Sequence, residues 1–364
     1  MADRFRLTLA QRNATVGDLA GNAARARDAW KTARAAGADM VALPEMFVTG
    51  YNPQDLVMKP AFHQAAIAKI ERLARDCADG PAIAIGGPAL EGVALHNAYY
   101  ILQGGRITAR VFKHHLPNET VFDEKRLYTS GDVAGPYTVG RVRIGSPVCE
   151  DAWHEDVAET LAETGAEMLL VPNGSPHYRG KITTRQNLMV ARVIETGLPL
   201  VYLNLVGGQD DQIFDGGSFV LNPGGALALQ LPMFEEATAH VDFTHGTDGW
   251  HADQGPLAHL PDALEQDYNA TVLALRDYLR KAGFSRVLLG LSGGVDSAIV
   301  AAIAVDALGA GNVRCVMLPS EYTSPHSLED AQAVAENLGC HYDYVPITEG
   351  RAAITATLAP LFEG

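Results

Sequence analysis

The sequence predicts an α/β protein in two parts: an α/β sandwich with antiparallel portions, then a doubly wound parallel sheet. Three observations predict it. Over the first 240 residues, short β-rich runs alternate with helical patterns, and the runs are apolar nearly throughout, as strands covered by helices require. After Phe243 the stretch HGTDGWHADQGPLAHLP has no clear period and is rich in Gly, Pro, His and Asp. Residues 244–261 therefore read as a linker between domains at 1–243 and 262–364. Beyond it, strand and helix patterns alternate in the βαβαβ rhythm of a parallel sheet.

In the first part, strands are expected at 6–10, 40–43, 82–85, 98–102, 107–112, 142–148, 168–171, 200–203 and 218–221. Helices are expected at 19–36, 61–78, 157–163 and 185–195. In the second part, Pro261 and Asp262 open a helix through Lys281. Strand 287–291, helix 296–308, strand 313–317, helix 327–338 and strand 342–345 follow. Three strands leave an open edge, so this domain is expected to be incomplete at Gly364.

The length of 364 residues suits two domains, and 47% hydrophobic residues with 36 Gly and 19 Pro exclude collagen-like and disordered classes. Lys+Arg 28 against Asp+Glu 43 gives −15, a field that repels phosphate backbones, so nucleic-acid binding is not expected. A local nucleotide site stays open. No apolar run approaches the ~20 residues that span a bilayer, and MADRFRLTLAQRN lacks the core of a signal peptide. Cys77, Cys149, Cys315 and Cys340 lie far apart without a CxxC pair, which favours a reducing cytoplasm over a disulfide framework.

Three polar residues end apolar strands. Cys149 in SPVCEDAW follows the run 142–148, Glu45 in LPEMFVTGY follows 40–43, and Lys113 in VFKHHLPN follows 107–112. Each alone has an ordinary reading: a small buried cysteine, a turn carboxylate, a solvated lysine. Glu150 and Asp151 hinder thiolate formation at Cys149, so a reactive thiol needs a nearby cation and a base. Taken together, Cys, Glu and Lys can hydrolyse an amide. Glu45 would take the thiol proton, Cys149 attack the carbonyl and Lys113 stabilise the oxyanion, with the backbone N–H after the nucleophile as second donor.

PEMFVTGY, FKHHLPN…VFDE and PVCEDAW resemble the three signature segments of the nitrilase (carbon–nitrogen hydrolase) superfamily, in the family's order, over about residues 4–243. The resemblance implies an α-β-β-α sandwich, a Glu45–Lys113–Cys149 triad and a thioester intermediate. It also implies that Glu124 in VFDEKR orients the lysine or the substrate. NGSPHYRGK resembles the glutamine-binding stretch of glutaminase members and implicates Ser175 and Lys181, the latter facing the substrate α-carboxylate. Glu119 stands where many relatives carry an aromatic, and could meet an α-ammonium.

In the second part, the strand ending Gly290–Leu291 leads into Ser292, Gly293, Gly294, Val295, Asp296 and Ser297, then an apolar helix. Two glycines let backbone N–H groups face an anion at a helix N-terminus, and Ser292 and Ser297 add hydroxyls. Asp296 would repel bare phosphate, which suggests a bridging Mg²⁺. Without GK[ST] this is not a Walker A loop. SGGVDS resembles the pyrophosphate loop of ATP pyrophosphatases, and MLPSEYTSPHSLEDA resembles a segment of NAD⁺ synthetases in which Ser324 and nearby hydroxyls face substrate or nucleotide. The other reading of that segment is a surface loop with Ser327 capping the next helix.

The two resemblances together imply release of ammonia from glutamine at Cys149 and ATP-dependent amidation of deamido-NAD⁺ through an adenylated intermediate. The products are NAD⁺, AMP and pyrophosphate. ATP and Mg²⁺ are the implied cofactors, and a homo-oligomer is expected. The alternatives are an amidase of the nitrilase superfamily with an inactive or structural second domain, and a non-catalytic scaffold that would lack a reactive thiol.

Overall fold

Alternation along each strand decides the layering of the larger part of the chain. In the strand at 40–42, Met40 and Ala42 point one way into one apolar cluster and Val41 points the other way into a second. At 168–171, Met168 and Leu170 share the first cluster while Leu169 and Val171 enter a third. Both faces of both sheets are thus apolar, and each needs a cover.

The structure is a computed structural model that describes residues 3–362 and divides into two units, the first ending at Gln266 and the second beginning at Asp267. The first unit runs β1 (Arg4–Gln11), α1 (Leu19–Ala35), β2 (Met40–Ala42), α2 (Pro60–Asp76), β3 (Ala82–Glu91), β4 (Ala94–Gln103), β5 (Arg106–Phe112) and α3 (Glu124–Leu127). It continues β6 (Tyr137–Val139), β7 (Val142–Gly145), α4 (Glu155–Glu163), β8 (Met168–Asn173), α5 (Lys181–Thr196) and β9 (Leu200–Asn204). Six further strands close it: β10 (Val206–Gln209), β11 (Gln212–Asp215), β12 (Phe219–Leu221), β13 (Leu227–Gln230), β14 (Ala237–Gly246) and β15 (Gly249–Ala252).

One sheet has the order β15-β14-β1-β2-β3-β4-β5 and the other β13-β12-β9-β8-β7-β6. Each has a parallel centre and antiparallel margins. The sheets face each other across Leu7, Leu9, Met40, Ile101, Ile144, Leu170 and Val201. Helices α1 and α2 cover the first sheet through Trp30, Ile70 and Leu73, and α4 and α5 cover the second through Leu161, Met189 and Val193. This is the α-β-β-α sandwich, with the parallel strands of both sheets ending on the side that carries the polar residues.

Three local expectations change. The strand expected to run to Val148 ends at Gly145, so Cys149 opens a short 3₁₀ turn (Cys149–Trp153) instead of following a strand directly. Helix α5 begins at Lys181, four residues early, behind Gly180. Residues 244–261 are not all linker, because the end of β14 and β15 form a hairpin there on the edge of the first sheet. Turn-forming Gly246 and Gly249 concealed it, since such residues punctuate hairpins as well as linkers.

The second unit takes in most of α6 (Ala263–Lys281), then β16 (Val287–Gly290), α7 (Val295–Leu308), β17 (Val313–Met317), α8 (Pro325–Leu338), β18 (His341–Tyr344) and α9 (Thr348–Leu358). Its three strands are parallel in the order β16-β17-β18. Leu291, Ala301, Ala304, Cys315, Ala331 and Ala335 form its core. Helix α9 lies beyond the elements expected from sequence. The N-cap of α8 is Ser324, whose Oγ accepts the Ser327 N–H at 3.1 Å, so Ser327 is not the cap. No helix among the described residues is long and apolar enough to cross a membrane.

Candidate functional site

The polar residues expected at strand ends meet inside the first unit. Lys113 follows β5 directly and is completely buried, with Nζ 2.8 Å from Glu45 Oε1 and 2.8 Å from Glu124 Oε2. Burial pulls the lysine pKa down, but the two carboxylates outweigh it and hold the ammonium well above its ordinary value. Lys113 is therefore a fixed positive charge.

Glu45 follows β2, where the chain folds back across β3. A Cβ on Gly86 would sit 2.1 Å from the Met46 nitrogen, so only glycine lets β3 support the Glu45 segment this closely. Met46 itself has φ +48. Glu45 Oε1 also accepts from Asn97 Nδ2 at 2.7 Å, and Oε2 accepts the Gly174 N–H at 2.7 Å. Glu124 opens α3 and accepts from Tyr51 Oη at 3.0 Å and Asn97 Nδ2 at 3.2 Å. Burial raises its pKa, against the pull of Lys113. Asn97, Tyr51 and Gly174 were not singled out from the sequence, since an Asn inside a strand and a Tyr in a loop carry no spacing signal.

Cys149 is buried and has φ +51, a left-handed conformation rare for a residue with a Cβ. Burial first, then the Glu45 charge, push its thiol pKa well up, and Lys113 only partly opposes them. The resting group is a thiol beside a carboxylate that can take its proton. Asp151 fixes this turn. Its Oδ2 accepts the Val148 N–H at 2.9 Å, while Oδ1 accepts the His114 and His115 N–H groups at 3.0 and 2.7 Å. Asp151 was expected only to discourage a thiolate, and its bracing role depends on contacts across the fold.

The residues matched to glutamine binding divide. Ser175 is buried in a second polar network, with Oγ accepting Arg185 Nε at 3.2 Å and its N–H donated to Asn204 Oδ1 at 2.9 Å. Arg185 Nη1 pairs with Asp215 Oδ1 at 2.6 Å, and Asp215 also meets His177 Nδ1 at 3.1 Å. Burial opposes the Asp215 charge, but Arg185 and His177 keep its pKa below the ordinary range. An ionised Cys149 would raise the pKa of Arg185 and of Tyr202, which puts this network within electrostatic reach of the thiol. Lys181 lies over two rings, with Nζ 4.1 Å from the Trp153 centroid and 4.5 Å from that of Tyr178. Glu119 is exposed instead, on the wall of a cleft of about 750 Å³ with His114, His115, Glu150 and His154, a wall that includes neither Ser175 nor Lys181.

In the second unit, Gly293 has φ +81, and a Cβ there would lie 2.3 Å from the Ser327 carbonyl oxygen. That approach brings the loop against the start of α8. Ser292 Oγ and Ser297 Oγ are 3.0 Å apart, and Ser297 Oγ donates to the Gly294 carbonyl at 2.9 Å. Gly294 is the N-cap of α7, so Val295 and Asp296 form its first turn. A cleft of about 520 Å³ opens at the carboxyl ends of β16 and β17, lined by Gly290, Leu291, Ser292, Thr323, Ser324 and Ser327. Ligands of open parallel sheets bind at such strand ends. Asp296 is exposed at the loop, a single carboxylate suited to a Mg²⁺ that takes its other ligands from phosphate and water.

Residues 6–250 match the carbon-nitrogen hydrolase family and residues 267–361 the NAD synthase family. The glutamine-dependent NAD(+) synthetase of Rhodobacter capsulatus is 59% identical over 364 residues, which are 100% of this chain and 66% of that protein. That of Thermotoga maritima is 33% identical over 393 aligned residues, covering 99% of this chain and 68% of that protein. The chain spans about two thirds of the length of these relatives. Among solved structures, glutamine-dependent NAD⁺ synthetase from Acinetobacter baumannii in complex with ADP superposes with TM-score 0.93 at 33% identity, over 100% of this chain and 68% of that one. An amidase from Nesterenkonia sp. AN1, solved with the acetamide moiety of fluoroacetamide added covalently at its active site cysteine, gives TM-score 0.60 at 26% identity over 67% of this chain and 93% of that one.

Proposed function

Since the chain belongs to the glutamine-dependent NAD(+) synthetase family, we propose that it carries the family's two reactions: glutamine hydrolysis in the first unit and adenylation of deamido-NAD⁺ in the second. The observation that carries the first reaction is the buried Lys113, paired at 2.8 Å with both Glu45 and Glu124 beside the Cys149 thiol.

Glu45 takes the proton of Cys149 Sγ as the sulfur attacks the carboxamide carbon of glutamine. Lys113 and the Glu150 N–H stabilise the oxyanion. As the intermediate collapses, the C–N bond breaks and Glu45 returns the proton to the leaving nitrogen, releasing ammonia and a glutamyl thioester. Water, deprotonated by Glu45, then hydrolyses the thioester to glutamate and restores the thiol. Glu124 keeps Lys113 in place. Lys181 receives the α-carboxylate, Ser175 hydrogen-bonds the substrate nearby, and Glu119 meets the α-ammonium.

In the second unit, ATP lies at the loop from Gly290 to Ser297, with Ser292, Ser297 and the N–H groups of the α7 N-terminus on its phosphates. A Mg²⁺ held by Asp296 would neutralise charge on those phosphates. The nicotinate carboxylate of deamido-NAD⁺ attacks the α-phosphorus and displaces pyrophosphate. Ammonia then attacks the acyl-adenylate and displaces AMP, giving NAD⁺. The proposal extends to a cytoplasmic homo-oligomer, supported by four free cysteines and by apolar exposure of Ile299 and Val300 on α7.

The test supplies deamido-NAD⁺ and Mg-ATP with glutamine or with ammonium. NAD⁺ from both donors in the wild type, and from ammonium only in Cys149→Ala, supports the reading. Glutamine hydrolysis with no NAD⁺ from either donor favours a stand-alone amidase.

A further inference from the structure

His114 and His115 on the wall of the larger cleft stand against Asp156, which lines a neighbouring smaller cleft, and the proposed reaction uses the side chains of none of the three. His114 Nδ1 lies 2.7 Å from the Gly131 carbonyl oxygen, so Nδ1 carries the proton and Nε2 offers a free lone pair. His115 Nε2 lies 2.9 and 3.0 Å from the two carboxylate oxygens of Asp156. One ligand atom from each of His114, His115 and Asp156 falls within 4.8 Å of the others, the one such group found among the described residues. We propose that His114, His115 and Asp156 bind a divalent transition-metal ion of the zinc class where these two clefts adjoin.

Donor chemistry selects the ion. Two imidazole nitrogens and one carboxylate suit Zn²⁺ and its neighbours, whereas Mg²⁺ and Ca²⁺ prefer oxygen throughout. Three protein ligands leave a fourth position to water. Ligand atoms around a tetrahedral zinc, each at about 2.0 Å, lie roughly 3.3 Å apart, so the group must close by at most about 1.5 Å. Room exists for that closure, because His115 is half-buried and Asp156 is exposed.

The supports behind the ligands are already in place. The Gly131 carbonyl fixes the His114 ring as outer partners of metal ligands commonly do. Asp151 holds the peptide N–H groups of both histidines, so the backbone that carries two ligands is rigid. Glu150 on the same wall adds negative charge. The site shares no side chain with Glu45, Lys113, Glu124 or Cys149, and it stands whether or not the proposed reactions do.

Titration of the 364-residue chain with Zn²⁺ against a chromophoric chelator tests it, with Co²⁺ absorption as the spectroscopic readout. The expected result is one tight equivalent of metal whose Co²⁺ spectrum lacks a thiolate charge-transfer band. His115→Gln and Asp156→Asn should each weaken binding at least about tenfold, the loss that even outer-sphere changes commonly cause. Cys149→Ala and Cys315→Ser should keep it, which separates this site from the nucleophile and from the Cys315–Cys340 pair, whose sulfurs are 3.6 Å apart. Undiminished binding in folded His115→Gln and Asp156→Asn, loss in either cysteine variant, or no binding to the wild type would each overturn the proposal.

Discussion

Asp151 accepts the peptide N–H of His115 at 2.7 Å, tying the turn that opens with Cys149 to the segment that begins with Lys113. Cys149 and Lys113 follow different strands, and Asp151 bridges the two segments that carry them. Asp151→Asn would turn one acceptor into a donor and leave at least one buried N–H, that of Val148 or those of the His114–His115 pair, without a partner. We predict that kcat for glutamine falls more than KM rises, because the turn that opens at Cys149 is no longer held against the Lys113 segment. An unchanged kcat would show that the brace is dispensable.

The same carboxyl makes stability depend on pH. Burial pushes Asp151 up to about 6, against the pull of the His115 and Val148 N–H groups. Its folded pKa lies above the unfolded value of about 3.9, so the folded state holds this proton more tightly and stability falls as pH rises from about 4 to about 6. The difference in unfolding free energy between wild type and Asp151→Asn should therefore move against the wild type by about 3 kcal/mol across that window, then level off. A difference that stays flat with pH would falsify the assignment.

Cys149→Ala should lower glutamine hydrolysis at least about 10³-fold, because loss of a covalent nucleophile leaves only binding and oxyanion stabilisation. Glu45→Gln should cost about 10²–10⁴-fold, the usual range for a general base. Ammonia release, followed under single-turnover conditions, separates the two. Glu45→Gln retains the thiol and should still be alkylated slowly, whereas Cys149→Ala should not react.

Lys113→Met should be worse for the fold than for packing alone. It leaves Glu45 and Glu124 buried without their cation, and breaking a buried pair costs about 3–5 kcal/mol. Thermal unfolding should show this as a large fall in Tm. The double variant Lys113→Met with Glu124→Gln should recover part of the loss, and a strictly additive result would count against coupling.

At Lys181 the expected effect is on binding. Its ammonium sits against the rings of Trp153 and Tyr178. Lys181→Met should raise KM for glutamine by about 10–100-fold, the worth of a charge-assisted hydrogen bond, with little change in kcat. Lys181→Arg should recover part of it. An equal fall in kcat would assign Lys181 to the chemical step instead.

Gly293→Ala should damage the second unit selectively. The added methyl meets the Ser327 carbonyl at 2.3 Å, on a backbone at φ +81 that L-residues avoid. NAD⁺ formation with ammonium should be lost while glutamine hydrolysis persists. Loss of both activities together would contradict the assignment of this loop to nucleotide alone.

Much of the candidate site was readable because a functional group held at a strand end leaves a polar residue after an apolar run. Glu45, Lys113 and Cys149 all carried that mark, and SGGVDS carried its own in two glycines before an apolar helix. Asn97 and Tyr51 carried none, although both touch the buried carboxylates. The β14–β15 hairpin was missed for a related reason: its pairing with β1 joins residues more than 230 positions apart, such as Leu7 and Val241.

The sequence by itself determined the layer plan, the strand ends at which chemistry could occur, and the side-chain types available there for a reaction. Those depend on local periodicity and side-chain chemistry, which the chain carries residue by residue. Only the tertiary structure decided that Lys113 pairs with both carboxylates, that Asp151 braces the turn opening at Cys149, and that Ser175 is buried against Arg185 while Glu119 is exposed on a cleft wall. Each is a contact between distant segments, and its strength comes from burial, which no single stretch of sequence can specify.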